Sequence, residues 1–316
     1  MTLRTSLRSL LISALALNAC IPLEDDGGGG GVGPITFSAG YVFVRPDTRD
    51  LYVANASDTQ SVMALTRDGG NRHPALSPDG KSAVYVHVEA GTTSLRRVAV
   101  QSGATSSVLL DSDGTYGGFR YPVFSPDGST VAFTFEQGGV ARVGTVQVDG
   151  SGFTQVSPQG SLAYGAPSWM PDGSALVVPA GNSLGNLTQV ESLQLSTGQP
   201  TTLRSSLGNE ALSIVNRVVV SPDGQAVAFD ARVASNVTRI FTAPLSGGQV
   251  TQVTDHAGQD AFANDSFPTF LSPTQLAFGS DAGGADQVYE VTLPATKQAG
   301  VLRVPTAAEP FYGAVK

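Results

Sequence analysis

The sequence predicts an all-β protein, a six-bladed propeller of four-stranded antiparallel blades whose ring is closed by the C-terminal strand joining the N-terminal blade. Three observations carry this. The chain holds 37 Gly and 19 Pro in 316 residues but only 14 % charged residues, too little charge for the wet faces of surface helices. A proline-centred turn motif recurs at intervals of 45 to 51 residues, a length that suits one four-stranded blade. A partial repeat near the head of the chain is matched by a surplus segment at its tail.

The first element is an address. Residues 1–8 contain Arg4 and Arg8 and no acid, and Ser9 to Ala19 is an eleven-residue run of mostly small and apolar side chains. That run is too short to span a membrane and reads as a signal peptide, residues 1–19. The junction Leu17-Asn18-Ala19-Cys20 resembles the lipobox of bacterial lipoproteins, which implies lipidation of Cys20, the single cysteine of the chain. By the same resemblance, Ile21 in place of Asp after the cysteine implies sorting to the outer membrane. Residues 20–34, with their five-glycine run, read as a flexible tether. Gly28, Gly30 and Gly33 match a dinucleotide fingerprint in spacing, yet no strand precedes them and no helix follows Pro34.

Residues 35–316 form the propeller. The segments LSPDGKSAVYV (76–86), FSPDGSTVAFTF (124–135), WMPDGSALVVPA (169–180), VSPDGQAVAFDA (220–231) and LSPTQLAFGS (271–280) align. Proline presets φ for the second turn position, Asp accepts nearby backbone N–H groups and Gly tolerates positive φ, so each motif reverses the chain between two strands. The aspartates are therefore turn formers. A buried-strand run follows each turn, then a third strand and a short outer one. Ahead of the first full copy, 41–45, 51–54 and 62–66 match the last three strands of a repeat, and residues 310–316 can supply the missing one. Radial closure buries both faces of twisted sheets and keeps their edges short.

The motif Pro-x-Phe-Ser-Pro-Asp-Gly followed by Ala-Phe, residues 122–133, resembles the TolB-like propeller repeat, also called PD40. The resemblance covers nearly all of residues 35–316 and implies the fold. It does not imply one function, because propellers of this kind bind proteins, cap peptidases or support other chemistry. The fifth copy departs from it, with Thr274-Gln275 in place of Asp-Gly.

The segments leading into each innermost strand converge around one mouth of a propeller's channel. Here they are Arg72-His73, Arg120-Tyr121, Gly165-Ala166, Asn216-Arg217 and Ser266-Phe267. The candidate ligand-binding residues are accordingly Arg72, His73, Arg120, Tyr121, Asn216 and Arg217, since guanidinium groups hold carboxylates or phosphates bidentately. The opposing expectation is that Asp68, Asp113, Asp260 and Asp265 in neighbouring loops neutralise these arginines. Other motifs fail on context. Gly181-Asn-Ser183-Leu-Gly185 has the spacing of a nucleophile elbow but is followed by a strand rather than a helix, which places Ser183 in a hairpin loop. Asp111-Ser-Asp113-Gly114 lacks the later ligands of a calcium loop. His73, His87 and His256 have no zinc spacing, so neither a catalytic residue nor a metal or cofactor is expected.

A formal charge of -8, which becomes -10 once the two arginines of the leader are removed, argues against nucleic acid as a partner. The expected function is that of a lipid-anchored, noncatalytic binding or scaffold protein of the bacterial cell envelope. It would contact the membrane through its lipid alone and engage an envelope protein, peptide or polymer, or an anionic ligand. The competing expectation is an enzyme acting on a small anionic metabolite at the channel mouth, with Arg72, Arg120 and Arg217 stabilising charge and His73 as acid or base. A metal-dependent structural role within the channel is a third.

Overall fold

The structure is a computed structural model that describes residues 37–208 and 212–314. The signal peptide, Cys20 and tether expected before residue 35 lie outside the described residues. Strands β1 (Ala39–Val44), β2 (Leu51–Asn55) and β3 (Asp58–Ala64) form an antiparallel meander. Next, β4 (Asn71–Leu76), β5 (Ser82–Glu89), β6 (Thr92–Ala99) and β7 (Ser107–Asp111) make one four-stranded sheet. Another is formed by β8 (Gly117–Phe124), β9 (Thr130–Gln137), β10 (Val140–Gln147) and β11 (Thr154–Gln155). A nine-stranded sheet follows. Its first part is β12 (Ala163–Tyr164), β13 (Ser168–Trp169), β14 (Ala175–Ser183), β15 (Asn186–Gln194) and β16 (Pro200–Arg204); its second is β17 (Ile214–Val220), β18 (Ala226–Ala234), β19 (Val237–Pro244) and β20 (Thr251–Gln252). After a 3-10 helix (Gly258–Phe262) come β21 (Asp265–Ser272), β22 (Gln275–Ser280), β23 (Gln287–Thr292) and β24 (Val301–Val304), again four-stranded. The last strand, β25 (Ala308–Ala314), pairs antiparallel with β1, with Val42 opposite Phe311 and Tyr41 opposite Tyr312.

This is an all-β propeller with antiparallel four-stranded blades. Two details differ from the sequence expectation. The tail strand begins at Ala308, two residues before Pro310. The sheets expected around residues 163–204 and 214–252 are continuous, because β15 meets both β16 and, through the single pair Leu187–Ile214, β17.

The turns have the expected chemistry. In the first, Ser77 Oγ donates to Asp79 Oδ1 at 2.6 Å, and Asp79 Oδ1 accepts the Lys81 N–H at 3.1 Å. The Gly80 N–H reaches Ser77 O at 2.9 Å with φ of 66°. Ser125 with Asp127 and Ser221 with Asp223 repeat the arrangement. Consecutive turns rest on one another: a Cβ on Gly128 would lie 3.6 Å from Pro78 Cδ, and one on Gly224 would lie 3.5 Å from Pro171 Cδ. The aberrant fifth turn still closes, with Ser272 opposite Gln275.

Apolar faces pack sheet against sheet. Val42, Leu51 and Val53 meet Leu76, Ala83 and Tyr85, and Val84 and Leu95 meet Phe119, Phe133 and Phe135. Ala132 and Val143 meet Leu176 and Val178. Val190 and Leu187 meet Val218, Phe229 and Phe241, and Ala228 and Ile240 meet Leu276 and Phe278. Finally, Ala277, Val288 and Val304 meet Tyr41, Phe43 and Ala54. Burial of such side chains contributes roughly 1.5–3 kcal/mol each, so these seams hold neighbouring blades together. Tyr41 also donates a short hydrogen bond to Glu290 Oε1, a buried polar tie between β1 and β23.

Candidate functional site

Four inner strands are kinked just before their apolar stretch. In β4, β8, β21 and β25 the residue ahead of a proline takes a left-handed backbone: His73 (φ 52°), Tyr121 (52°), Phe267 (54°) and Glu309 (53°). Register shifts mark the same places, between Arg72 and Ala75, Arg120 and Val123, and Ser266 and Thr269. Such a bulge re-aims a side chain. A non-glycine residue held there costs of order 1–3 kcal/mol, strain that clusters at ligand sites. With Ala166 and Arg217 from the neighbouring inner strands, these residues line a cavity of about 150 Å³.

The ring is aromatic and charged. The His73 imidazole lies 4.1 Å from the Tyr121 ring and 6.2 Å from that of Phe267, centroid to centroid. Arg217 is about nine-tenths buried. Its Nη2 donates to Phe267 O at 2.7 Å and Pro310 O at 2.5 Å, and its guanidinium lies 5.5 Å from the Phe267 centroid and 5.7 Å from that of Phe311. Its Nε, like Nδ1 of His73, is buried without a hydrogen-bond partner among the described residues. Burial lowers the Arg217 pKa to about 10, so it is a cation at neutral pH. Burial, reinforced by Arg72, Arg120, Arg217 and Arg49, pushes His73 well below its ordinary value and keeps it neutral. Burial raises the Tyr121 phenol, which stays protonated.

Two carboxylates shape the ring. Glu309 Oε2 accepts the His73 backbone N–H at 2.5 Å, and Oε1 lies 3.7 Å from Arg49 Nη1. Asp230, fully buried on β18, accepts the backbone N–H groups of Asn216 (3.0 Å), Arg217 (3.1 Å) and Phe267 (3.1 Å) and Nδ2 of Asn216 (2.6 Å). It thereby ties β17 and β21 together beneath the ring.

His73, Tyr121 and Arg217 of the predicted residues line the cavity; Arg72, Arg120 and Asn216 each stand one position earlier. Asn216 is spent on Asp230. The expected neutralisation does not occur. Asp68 pairs with Arg96 (3.3 Å), Asp113 holds a turn through Thr115 and Tyr116, Asp260 accepts the Gly283 N–H and Asp265 meets His256 at 2.8 Å. Arg120 is paired instead with Glu136 at 2.9 Å. Among the described residues, Arg72 and Arg217 have no carboxylate within 4.0 Å. Glu309 was missed because the tail was read from Pro310 onward. Its signal was present, since Glu309-Pro310 repeats the pattern of His73-Pro74, Tyr121-Pro122 and Phe267-Pro268. Ser183 ends β14, opposite Asn186 at a hairpin, rather than lying in a loop outside it. Among the described residues no group of three or more His, Cys, Asp or Glu is placed to hold a metal ion.

Together these observations define a β-propeller in which residues from several strand entries converge on one cavity. A family model described as TolB beta propeller domain matches residues 40–220, and the chain belongs to that PD40 family. Among solved structures, TolB from Acinetobacter baumannii is 19 % identical with a TM-score of 0.65, over 89 % of this chain and 67 % of that one. A putative TolB from Agrobacterium tumefaciens is 17 % identical with a TM-score of 0.57, over 83 % of this chain and 87 % of that one. An oligogalacturonate lyase in complex with manganese is 20 % identical with a TM-score of 0.52, over 84 % and 78 %. Comparison with curated proteins gave no match.

Proposed function

We propose that the protein is a noncatalytic binding propeller of the bacterial cell envelope. In this reading it is anchored by lipid on Cys20 after removal of residues 1–19, tethered through residues 20–34 and facing the periplasm or surface from the outer membrane. The nine-stranded sheet counts as two blades, giving six, with β25 against β1 completing the ring. The channel mouth, with Arg72, His73, Arg120, Tyr121, Asn216 and Arg217, receives an acidic segment of an envelope protein or peptide.

The observation that carries this is the pair of arginines, Arg72 and Arg217, left without a carboxylate at the mouth of a chain whose formal charge is -8. A local cationic site attracts an anionic partner while the acidic remainder of the surface repels it. The solved relatives of this fold include a lyase, so the fold alone decides nothing and the site must. Glu309 meets the backbone N–H of His73 rather than its ring, so the imidazole has no orienting carboxylate of the kind a general base uses.

The test is binding by the purified protein. Captured from envelope extracts or offered as acidic peptides, a partner should be held by the wild type and lost on Arg72→Glu, with affinity falling as salt rises. Binding that survives Arg72→Glu unchanged overturns the assignment of the mouth. Cys20→Ser should release the protein from membrane fractions, and continued attachment contradicts the lipid anchor.

A further inference from the structure

We propose that the channel takes up a small free carboxylic acid bearing one aromatic ring, with the ring among the aromatic and proline side chains of the wall and the carboxylate at Arg217. The inference rests on reading the channel as a ligand site and adds the class of ligand.

Size comes first. The cavity is about 150 Å³, comparable with the roughly 150 Å³ engineered cavity that takes up benzene. The space is large enough for one ring. The lining comes second. Tyr121, Phe267 and Phe311 border the space with Pro74, Pro122 and Pro167, flat or rigid apolar surfaces suited to the faces and edges of a ring.

Charge comes third. Arg217 is nine-tenths buried, lines the cavity and has an Nε–H without a partner. A buried donor left unpaired is costly, and a carboxylate is the acceptor that best matches a guanidinium. Glu309 does not already fill that role: its oxygens face the His73 N–H and Arg49. Nor does Asp230, whose oxygens are taken by Asn216, Phe267 and the Arg217 backbone. The neutral His73 borders the same cavity without adding charge.

Calorimetric titration of the purified protein with sodium benzoate tests this, beside benzamide, which keeps the ring and loses the charge, and acetate, which keeps the charge and loses the ring. Benzoate should bind, and each of the other two should bind at least about tenfold more weakly. Ala166→Leu, which fills the cavity while leaving every charge in place, should abolish the benzoate heat. An acidic peptide bound by a protein that takes up no benzoate would overturn this inference and leave the proposed function standing, so the two readings fail separately. Absence of benzoate binding at millimolar concentration to the wild type, or benzamide binding as tightly as benzoate, overturns the inference. Should Ala166→Leu fail to fold, saturation-transfer NMR on the wild type decides: ring protons of benzoate receive saturation from the protein's aromatic resonances, and their silence refutes the site.

Discussion

His73 gives the ring a measurable dependence on pH. In the folded protein burial, then the charges of Arg72, Arg120, Arg217 and Arg49, hold its imidazole well below the ordinary 6.5. The unfolded chain binds a proton there as pH falls through 6.5 and the folded protein does not. The contribution of neutral His73 is therefore fully present above 6.5 and is lost as pH falls below it. Each pH unit over which the folded state stays unprotonated costs about 1.4 kcal/mol, so between pH 7.5 and 5.0 this residue costs at most about 2 kcal/mol. His73→Phe removes the titration, keeps a ring beside Tyr121 and retains the backbone N–H that Glu309 accepts. Trp169, the single tryptophan, reports unfolding, since its Nε1 donates to Val123 O at 3.2 Å across two sheets. Urea titrations followed by its fluorescence at pH 7.5 and 5.0 should show wild type losing more stability than His73→Phe over that interval, by up to about 2 kcal/mol. Equal losses for the two proteins would refute the buried, neutral imidazole.

Two further outcomes follow from the carboxylates. Asp230→Ala strands four donors from Asn216, Arg217 and Phe267; at about 1–3 kcal/mol for each unsatisfied group, the urea midpoint should drop by the equivalent of about 3 kcal/mol or more, and a smaller loss would mean that water replaces the carboxylate. At the turns, hydroxyl donors from Ser77, Ser125 and Ser221 hold Asp79, Asp127 and Asp223 below their ordinary 3.8. The stability they supply is present above that value and lost as pH falls through the lowered one. Replacing all three with Asn should flatten the acid limb of a thermal-midpoint profile below about pH 4, and an unchanged limb would assign acid lability to other groups.

Much of the fold was legible because the sequence repeats its own punctuation. Ser77-Pro78-Asp79-Gly80 and its copies fix a hairpin by local hydrogen bonds, and the β-branched and aromatic runs after them, such as Val131 to Phe135, become buried strands. The tail strand was legible by subtraction, from a head repeat that lacked a partner. What local pattern does not encode is how one element meets another. The Leu187–Ile214 pair that joins two sheets depends on where separate hairpins come to rest. Asp230 sits inside an apolar strand run, where its sequence neighbours give no hint that Asn216 and Phe267 converge on it. The candidate ring was half legible: alignment of the strand entries found His73, Tyr121 and Arg217, while Glu309 lay one residue outside the segment assigned to the tail. The partners of the arginines were not legible, because Glu136 approaches Arg120 across a strand pair, Asp113 is held by its own turn, and Asp68, Asp260 and Asp265 meet Arg96, Gly283 and His256 instead.

Amide hydrogen exchange of residues 308–314 is the most direct test of the account, because this one strand both completes the sheet begun by β1 and carries Glu309 into the ring. Pairing of Gly40 with Gly313 and of Val42 with Phe311 predicts protection matching that of residues 39–44 and lost together with it as denaturant is added. Exchange of 308–314 at the rate of a free peptide, with 39–44 still protected, would contradict it.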